Sequence, residues 1–311
     1  MTKKALFVFN PCSGKGTIKT KLFDIIDILS AVGYEVTACP TQKRLDGYEI
    51  VQKKGESYSL LVVSGGDGTL NECIKGLLQI PEDKRPTVGY IPTGSTNDFA
   101  CSLKISKKPI VAVGNIVNGK EFKCDVGRFN ESCFVYIAAF GAFTEVAYGT
   151  PQQVKNYLGH MAYILEGIKR LSNIKSYYLD IEYDGVQVSG DFIYGMVSNS
   201  TFVGGVRSYR NHDVDFSDGL FECVLIREPE NAIEMQVMVT GLLMQDFSSK
   251  GFYTFKASRI NIQSKEKLSW TLDGEYGGDH INVEIENLHK AMTIMLGDKR
   301  PQNIDKVAEL L

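Results

Sequence analysis

Apolar positions in the first part of the chain change their spacing repeatedly. Short apolar runs at Ala5–Asn10, Glu35–Cys39, Leu60–Ser64 and Val88–Ile91 predict four β-strands. Between them Leu22, Ile25, Ile26, Leu29 and Val32 recur at helical spacing, and Gly33 stands where that helix should end. Leu70, Ile74, Leu77 and Leu78 repeat the helical pattern after the third run. Strands alternating with helices predict a parallel sheet covered by helices.

From about Glu121 the pattern changes. Tyr177–Tyr183 and Val186–Ser198 read as strands, and Asp184-Gly185 between them predicts a type I′ hairpin. Further β-rich runs occupy 220–226, 252–264, 268–273, 281–285 and 292–296, while helical spacing returns at 154–171, 231–244 and 304–311. The expected fold is an α/β N-terminal domain with a parallel sheet, followed by a β-rich, antiparallel, sandwich-like or flattened-barrel domain.

Composition narrows this modestly. A length of 311 residues suits two domains, and 43% hydrophobic with 23% charged residues is ordinary for a globular protein. A formal net charge of −3 argues against broad nucleic-acid binding. Ala5–Phe9 is too short for a signal peptide and no run approaches the ~20 apolar residues of a membrane span, so a cytoplasmic location is expected. The 7 cysteines contain no Cys-x-x-Cys pair and predict reduced thiols. His160, His212, His280 and His289 lack metal-ligand spacing.

The chemistry concentrates in Ser64-Gly65-Gly66-Asp67-Gly68-Thr69-Leu70-Asn71-Glu72, at a predicted strand-to-helix turn. Glycines there let backbone amides point inward, and the following helix adds its unpaired N–H groups and positive dipole end. Such a turn suits phosphate, and Asp67 can hold a cation beside it. Two more loops follow strands in the same way: Asn10-Pro11-Cys12-Ser13-Gly14-Lys15-Gly16, and Pro92-Thr93-Gly94-Ser95-Thr96-Asn97-Asp98-Phe99. In a parallel sheet all three leave the carboxyl ends of strands, where open α/β folds bind ligands. The convergence predicts a polyphosphate pocket. Phe9 stands where a Walker A loop needs its first glycine, and Lys19 where a dinucleotide fingerprint needs its third, so neither pattern applies.

These motifs in this order resemble the bacterial diacylglycerol kinase and lipid kinase family, itself related to NAD kinases and phosphofructokinases. The resemblance extends through Cys124-Asp125-Val126-Gly127, Asp218-Gly219-Leu220 and Asp273-Gly274-Glu275, and so covers nearly the whole chain. It implies a nucleotide-binding domain over 1–126, with a C-terminal helix at 299–311 returning to it. A lipid-side domain would cover 127–298, with the active site in the cleft between the two. The implied reaction moves the γ-phosphoryl group of ATP, with Mg²⁺, to a membrane lipid hydroxyl, diacylglycerol first among them.

By the same resemblance Asn10, Pro11, Cys12, Ser13, Gly14, Thr41, Gly66, Asp67, Gly68, Thr69, Leu70, Asn71, Glu72 and Ser95 line the nucleotide. Asp67, Asp98 and Asp125 form the acidic group around the catalytic Mg²⁺. Glu275 is the general base, with Asp273 beside it. A structural Mg²⁺ would use Asp218 and the carbonyls of Asp215 and Leu220, although His212-Asp213-Val214 replaces the family's usual Pro-x-Ala nearby. An EF-hand is excluded, because Asp218 and Val224 stand where glycine and glutamate are required.

The implied partners are a membrane lipid met by transient contact at the inner membrane face, no nucleic acid, and a second copy in a homodimer. Basic clusters at Lys15/Lys19/Lys21, Lys104/Lys107/Lys108 and Arg207/Arg210 are candidates for headgroup contact. The competing readings are an NAD kinase-like or other small-molecule kinase and a non-catalytic nucleotide-binding regulator. NAD kinases continue Thr-Gly-Ser-Thr-Ala-Tyr where this chain has Asn97-Asp98-Phe99, and a pure sensor has no need of Glu275.

Overall fold

The computed structural model describes residues 3–14, 16–141, 175–203, 206–207, 214–244 and 246–297. The helices expected at 154–171 and 304–311 lie outside them, as do Lys15, His160, Arg210, His212 and Asp213. The chain divides into two compact units, Met1–Cys124 with Lys290–Leu311, and Asp125–His289.

In the first unit β1 (Lys3–Phe9), α1 (Thr17–Ala31), β2 (Tyr34–Pro40), α2 (Asp46–Lys54), β3 (Leu60–Gly65), α3 (Asp67–Leu77), β4 (Thr87–Pro92), α4 (Asp98–Ser102) and α5 (Pro109–Asn118) follow in order. β1 pairs in parallel with β2 and β3, and β3 in parallel with β4. β3 is buried at every position, which is why its sequence is a continuous apolar run rather than an alternation. Phe7, Leu60 and Val62 meet Ile18, Ile25 and Leu29 of α1 and Val113 and Ile116 of α5 in one core. β1, β3 and β4 each end at one of the three polar loops.

β5 (Lys120–Phe129) leads into the second unit, which holds β6 (Ser132–Phe134), β7 (Ile137–Gly141), β8 (Tyr177–Tyr183), β9 (Val186–Ser198), β10 (Phe202–Val203), β11 (Val206–Arg207), β12 (Phe221–Arg227), α6 (Ala232–Met244), β13 (Phe252–Ala257) and β14 (Arg259–Leu272). The long β15 (Glu275–Leu296) begins here and ends in the first unit, where Ile294 lies parallel beside Val88. The second unit is strand-rich and antiparallel. β9 and β14 each pair with β8 along one half and β7 along the other, so β7 and β8 lie in line between the two long strands. Trp270, fully buried, anchors its core with ring centroids 5.0 Å from Phe129 and 4.9 Å from Phe140. Asp184 (φ 42°) and Gly185 (φ 86°) have the two positive φ angles of a type I′ hairpin.

Some boundaries differ from the sequence expectation. The run at 252–264 is two strands parted at Ser258, whose N–H and hydroxyl both donate to Asp184. The runs at 281–285 and 292–296 are one strand. The polar stretch Glu286–Lys290 between them is extended backbone with a kink at Lys290 (φ 54°), where β15 changes partners.

Candidate functional site

The expected site residues fall into two groups, one in each unit. In the first unit the three loops meet through their backbones. Asn10 N–H donates to the Ser64 carbonyl at 2.8 Å, Thr93 N–H to the Gly65 carbonyl at 2.9 Å, and the Asn10 side chain to Thr69 Oγ1 at 3.4 Å. A Cβ on Gly94 would stand 2.5 Å from the Gly66 Cα, closer than any side chain permits. Gly14, at φ 57°, would put a Cβ 2.2 Å from the Thr93 carbonyl oxygen. Bare Cα atoms are therefore the condition for this rim to close. Ser13 lies against it, and Cys12 N–H caps back onto Asn10 Oδ1 at 2.9 Å.

Asp67 opens α3 and Asp98 opens α4, and the two are brought together. Asp67 Oδ2 accepts from the Asp98 N–H at 3.3 Å and from Thr96 Oγ1 at 3.4 Å. Both carboxylates are sunk in the rim, with relative exposures of 9% and 1%. Asn97 holds the loop that carries Asp98. Its amide donates to the Gly94 carbonyl at 2.7 Å and accepts from the Gly94 N–H at 2.9 Å. Tyr90 lies beneath, its hydroxyl donating to the Gly65 carbonyl at 3.2 Å. Burial, then the charge of Asp67, holds that phenol well above its ordinary pKa, so it is a neutral donor.

The remaining first-unit residues divide. Gly68, Thr69 and Asn71 lie in the first turns of α3, while the Leu70 side chain is buried and its N–H donates to the Gly66 carbonyl at 3.1 Å. Glu72 faces another way. Its Oε1 accepts from Leu45 N–H at 2.8 Å and its Oε2 from Gly47 N–H at 3.2 Å. That anchors the segment after β2, where Thr41 N–H bonds the Phe9 carbonyl. Glu72 therefore positions the Thr41 segment. Ser95 is exposed at the tip of the third loop, and Pro11 is partly exposed in the first.

In the second unit Asp273 (φ 50°) and Gly274 (φ 82°) form the turn between β14 and β15, and Glu275 follows, exposed, paired across the turn with Leu272. The Asp273 side chain points inward. Its oxygens accept from Val135 N–H at 2.7 Å, Tyr136 N–H at 2.9 Å and Ile137 N–H at 3.1 Å. A carboxylate held by three amides is a clamp for the turn rather than a proton carrier, and this replaces the catalytic role given to Asp273 from sequence. Asp125, fully buried on β5, accepts from Gly219 N–H at 2.7 Å through Oδ2 and meets His289 Nδ1 at 3.2 Å through Oδ1. Asn199 joins the two. Its N–H bonds the Tyr136 carbonyl and its amide the Asp125 carbonyl. No sequence pattern marks Asn199 or His289, because each acts on residues distant along the chain.

In the 215–220 loop Asp215 Oδ1 accepts from the N–H and hydroxyl of Ser217, each at 2.9 Å, and Asp218 Oδ1 from Leu220 N–H at 3.0 Å. Lys256 Nζ stands 3.8 Å from Asp218 Oδ2 and supplies positive charge there. Among the described residues no three His, Cys, Asp or Glu side chains group closely enough to hold a metal by themselves. Mg²⁺ typically takes one or two carboxylates and completes its shell with water and phosphate oxygens, which the Asp67–Asp98 pair fits. Of the basic residues, Lys107 donates to the Thr96 carbonyl and Lys21 pairs with Asp24. No helix among the described residues is long and apolar enough to cross a membrane.

Comparison with known proteins gives the site a context. Residues 4–129 match the model of the diacylglycerol kinase catalytic domain. The chain is 31% identical over 305 residues to the diacylglycerol kinase of Bacillus subtilis (strain 168), covering 97% of this chain and 99% of that one. It is 35% identical over 286 residues to the diacylglycerol kinase of Staphylococcus aureus (strain bovine RF122 / ET3-1), covering 89% and 88%. A solved structure of a diacylglycerol kinase from Bacillus anthracis str. Sterne superposes with a TM-score of 0.79 at 26% identity, covering 95% of this chain and 97% of that one.

Proposed function

This chain belongs to the diacylglycerol kinase family, and from that premise we propose that it is an ATP-dependent lipid kinase that phosphorylates diacylglycerol to phosphatidic acid. The observation that carries the proposal is end-to-end similarity to enzymes of that name, together with a glycine-built rim that contains two carboxylates. Amides at the α3 N-terminus, with that of Gly14 in the first loop, bind the phosphates of ATP, helped by the helix dipole. Asp67 and Asp98 hold Mg²⁺, which neutralises charge on the β- and γ-phosphates when bound. Thr41, kept in place by the Glu72-anchored segment, borders the nucleotide.

At the acceptor, Glu275 takes the proton from the lipid hydroxyl. The hydroxyl oxygen bonds to the γ-phosphorus as the bond to the β-phosphate oxygen breaks, and ADP leaves. Transfer requires Glu275 to reach that hydroxyl while the phosphate occupies the first unit's rim. Asp125 contributes a further carboxylate on the acceptor side, and Asp273 holds the turn that carries Glu275. The mechanism uses no structural ion at Asp215, Asp218 and Leu220, where Lys256 Nζ stands 3.8 Å from Asp218 Oδ2. The enzyme works as a homodimer at the inner membrane surface, touching lipid only transiently.

Incubation with γ-labelled ATP and Mg²⁺, offered diacylglycerol vesicles, NAD and fructose 6-phosphate in turn, tests this reading. Label in phosphatidic acid alone is the expected result. Label in NAD or the sugar, or in nothing, would overturn it.

A further inference from the structure

We propose that His289 is a positioning residue that fixes the Asp125 carboxylate through a hydrogen bond from Nδ1–H to Oδ1. This deepens the kinase reading and rests on it for its catalytic consequence. Asp125 is fully buried, and a buried carboxylate needs donors at both oxygens to stay ordered. The Gly219 N–H donates to Oδ2 at 2.7 Å, and His289 Nδ1 stands 3.2 Å from Oδ1, within reach of a second bond. Gly219 and His289 lie on different elements, so they meet the carboxylate from two directions.

The seat for the imidazole is shaped by a second feature. Gly219 has φ 80°, and a Cβ there would lie 3.1 Å from His289 Nδ1. The ring therefore packs closely against Gly219, and the same glycine supplies the other bond to Asp125. His289 is about half exposed, so its far nitrogen reaches solvent while Nδ1 faces the buried acid. Neutral histidine in water prefers the proton on Nε2, and this geometry demands it on Nδ1. The bond exists with the ring neutral or protonated, because Nδ1 is the donor in both forms.

Two readouts decide the matter. Nitrogen-15 NMR of the imidazole groups at about pH 8 reports the tautomer of a neutral ring. His289 in the wild-type chain should be in the Nδ1–H form, whether or not the protein phosphorylates lipid. The Nε2–H form, or the averaged mixture of a free ring, would overturn the proposal. In the diacylglycerol assay, His289→Leu should lower kcat by about tenfold and leave KM for ATP within about twofold, as expected for loss of one hydrogen bond to a charged group. His289→Asn, whose amide can stand where Nδ1 stands, should recover to within about threefold of wild type. Equal loss in both variants, or none in either, would contradict a role exerted through Nδ1. A chain with the Nδ1–H tautomer but no labelled phosphatidic acid would count against the kinase reading while leaving the grip on Asp125 supported.

Discussion

The two units build their functional groups from different materials. In the first, the phosphate rim is made of backbone: three loops leave β1, β3 and β4 and approach until only glycine fits at positions 14 and 94. In the second, the acidic groups are held by side chains reaching across strands, with Asp273 on the 135–137 amides and Asp125 between Gly219 and His289. A backbone rim recognises phosphate by amide direction and is insensitive to most side-chain changes around it. A side-chain lattice orients individual carboxylates and is sensitive to each bond. Phosphate binding needs the first property, and placement of a proton acceptor needs the second.

Substitutions can separate the two. The largest effect is expected at Asp67, the main carboxylate in the backbone rim. Asp67→Ala should reduce Mg²⁺-dependent transfer by about 10⁴-fold or more. Turnover at the wild-type level would remove Asp67 from the metal site. Next is Glu275→Gln, for which a fall in kcat of about 10²–10⁴-fold is expected with ATP affinity preserved, the usual loss for a positioned base. A near-normal rate at saturating Mg·ATP would show that another group takes the proton.

Asp273→Asn should differ in kind. It puts an amide donor against backbone N–H groups in a buried place, so about 2–4 kcal/mol of stability should be lost, visible as a lower denaturation midpoint. An unchanged midpoint with lost turnover would restore Asp273 to the chemistry. Glu72→Gln is smaller. Loosening the segment that bears Thr41 should raise KM for ATP by about fivefold, with kcat held. A large kcat loss would mean that Glu72 meets the reacting phosphate after all.

The smallest effect concerns Glu222 of β12, 4% exposed and 2.9 Å from Lys256 Nζ. Burial raises its carboxyl above the ordinary 4.5, and the bond from Lys256 offsets this in part. The folded chain then holds this proton more tightly than the unfolded one. The contribution of Glu222 to stability is therefore full below pH 4.5 and lost as pH rises through the folded value. Urea titrations across that range should show a downward slope in wild type that Glu222→Gln lacks. Identical slopes would remove Glu222 as the source.

This contrast also explains what the sequence revealed. The glycine loops were legible because their logic is local: they stand within a few residues of a strand end, and Asp67 was singled out that way, whereas Asp98 was given its role by resemblance. The strand-rich, antiparallel character of the second unit was legible too, from alternation and from Asp184-Gly185. The β5–β7 segment was not, because Asp125 and the amides that Asp273 clamps sit in strands whose pairing is set by distant partners. The continuity of β15 was hidden by the polar stretch Glu286–Lys290, which stays extended although it looks like a loop. Glu72, inside the most informative motif, was placed at the nucleotide by resemblance, and only its bonds to Leu45 and Gly47 show what it grips.

The central claim is that the triphosphate of ATP lies on the backbone rim of the first unit. A crystal structure with a non-hydrolysable ATP analogue and Mg²⁺ tests it most directly. The phosphates should be bound by amides at the α3 N-terminus and that of Gly14, with the ion at Asp67. Phosphates bound anywhere else, with that rim left to solvent, would contradict the account.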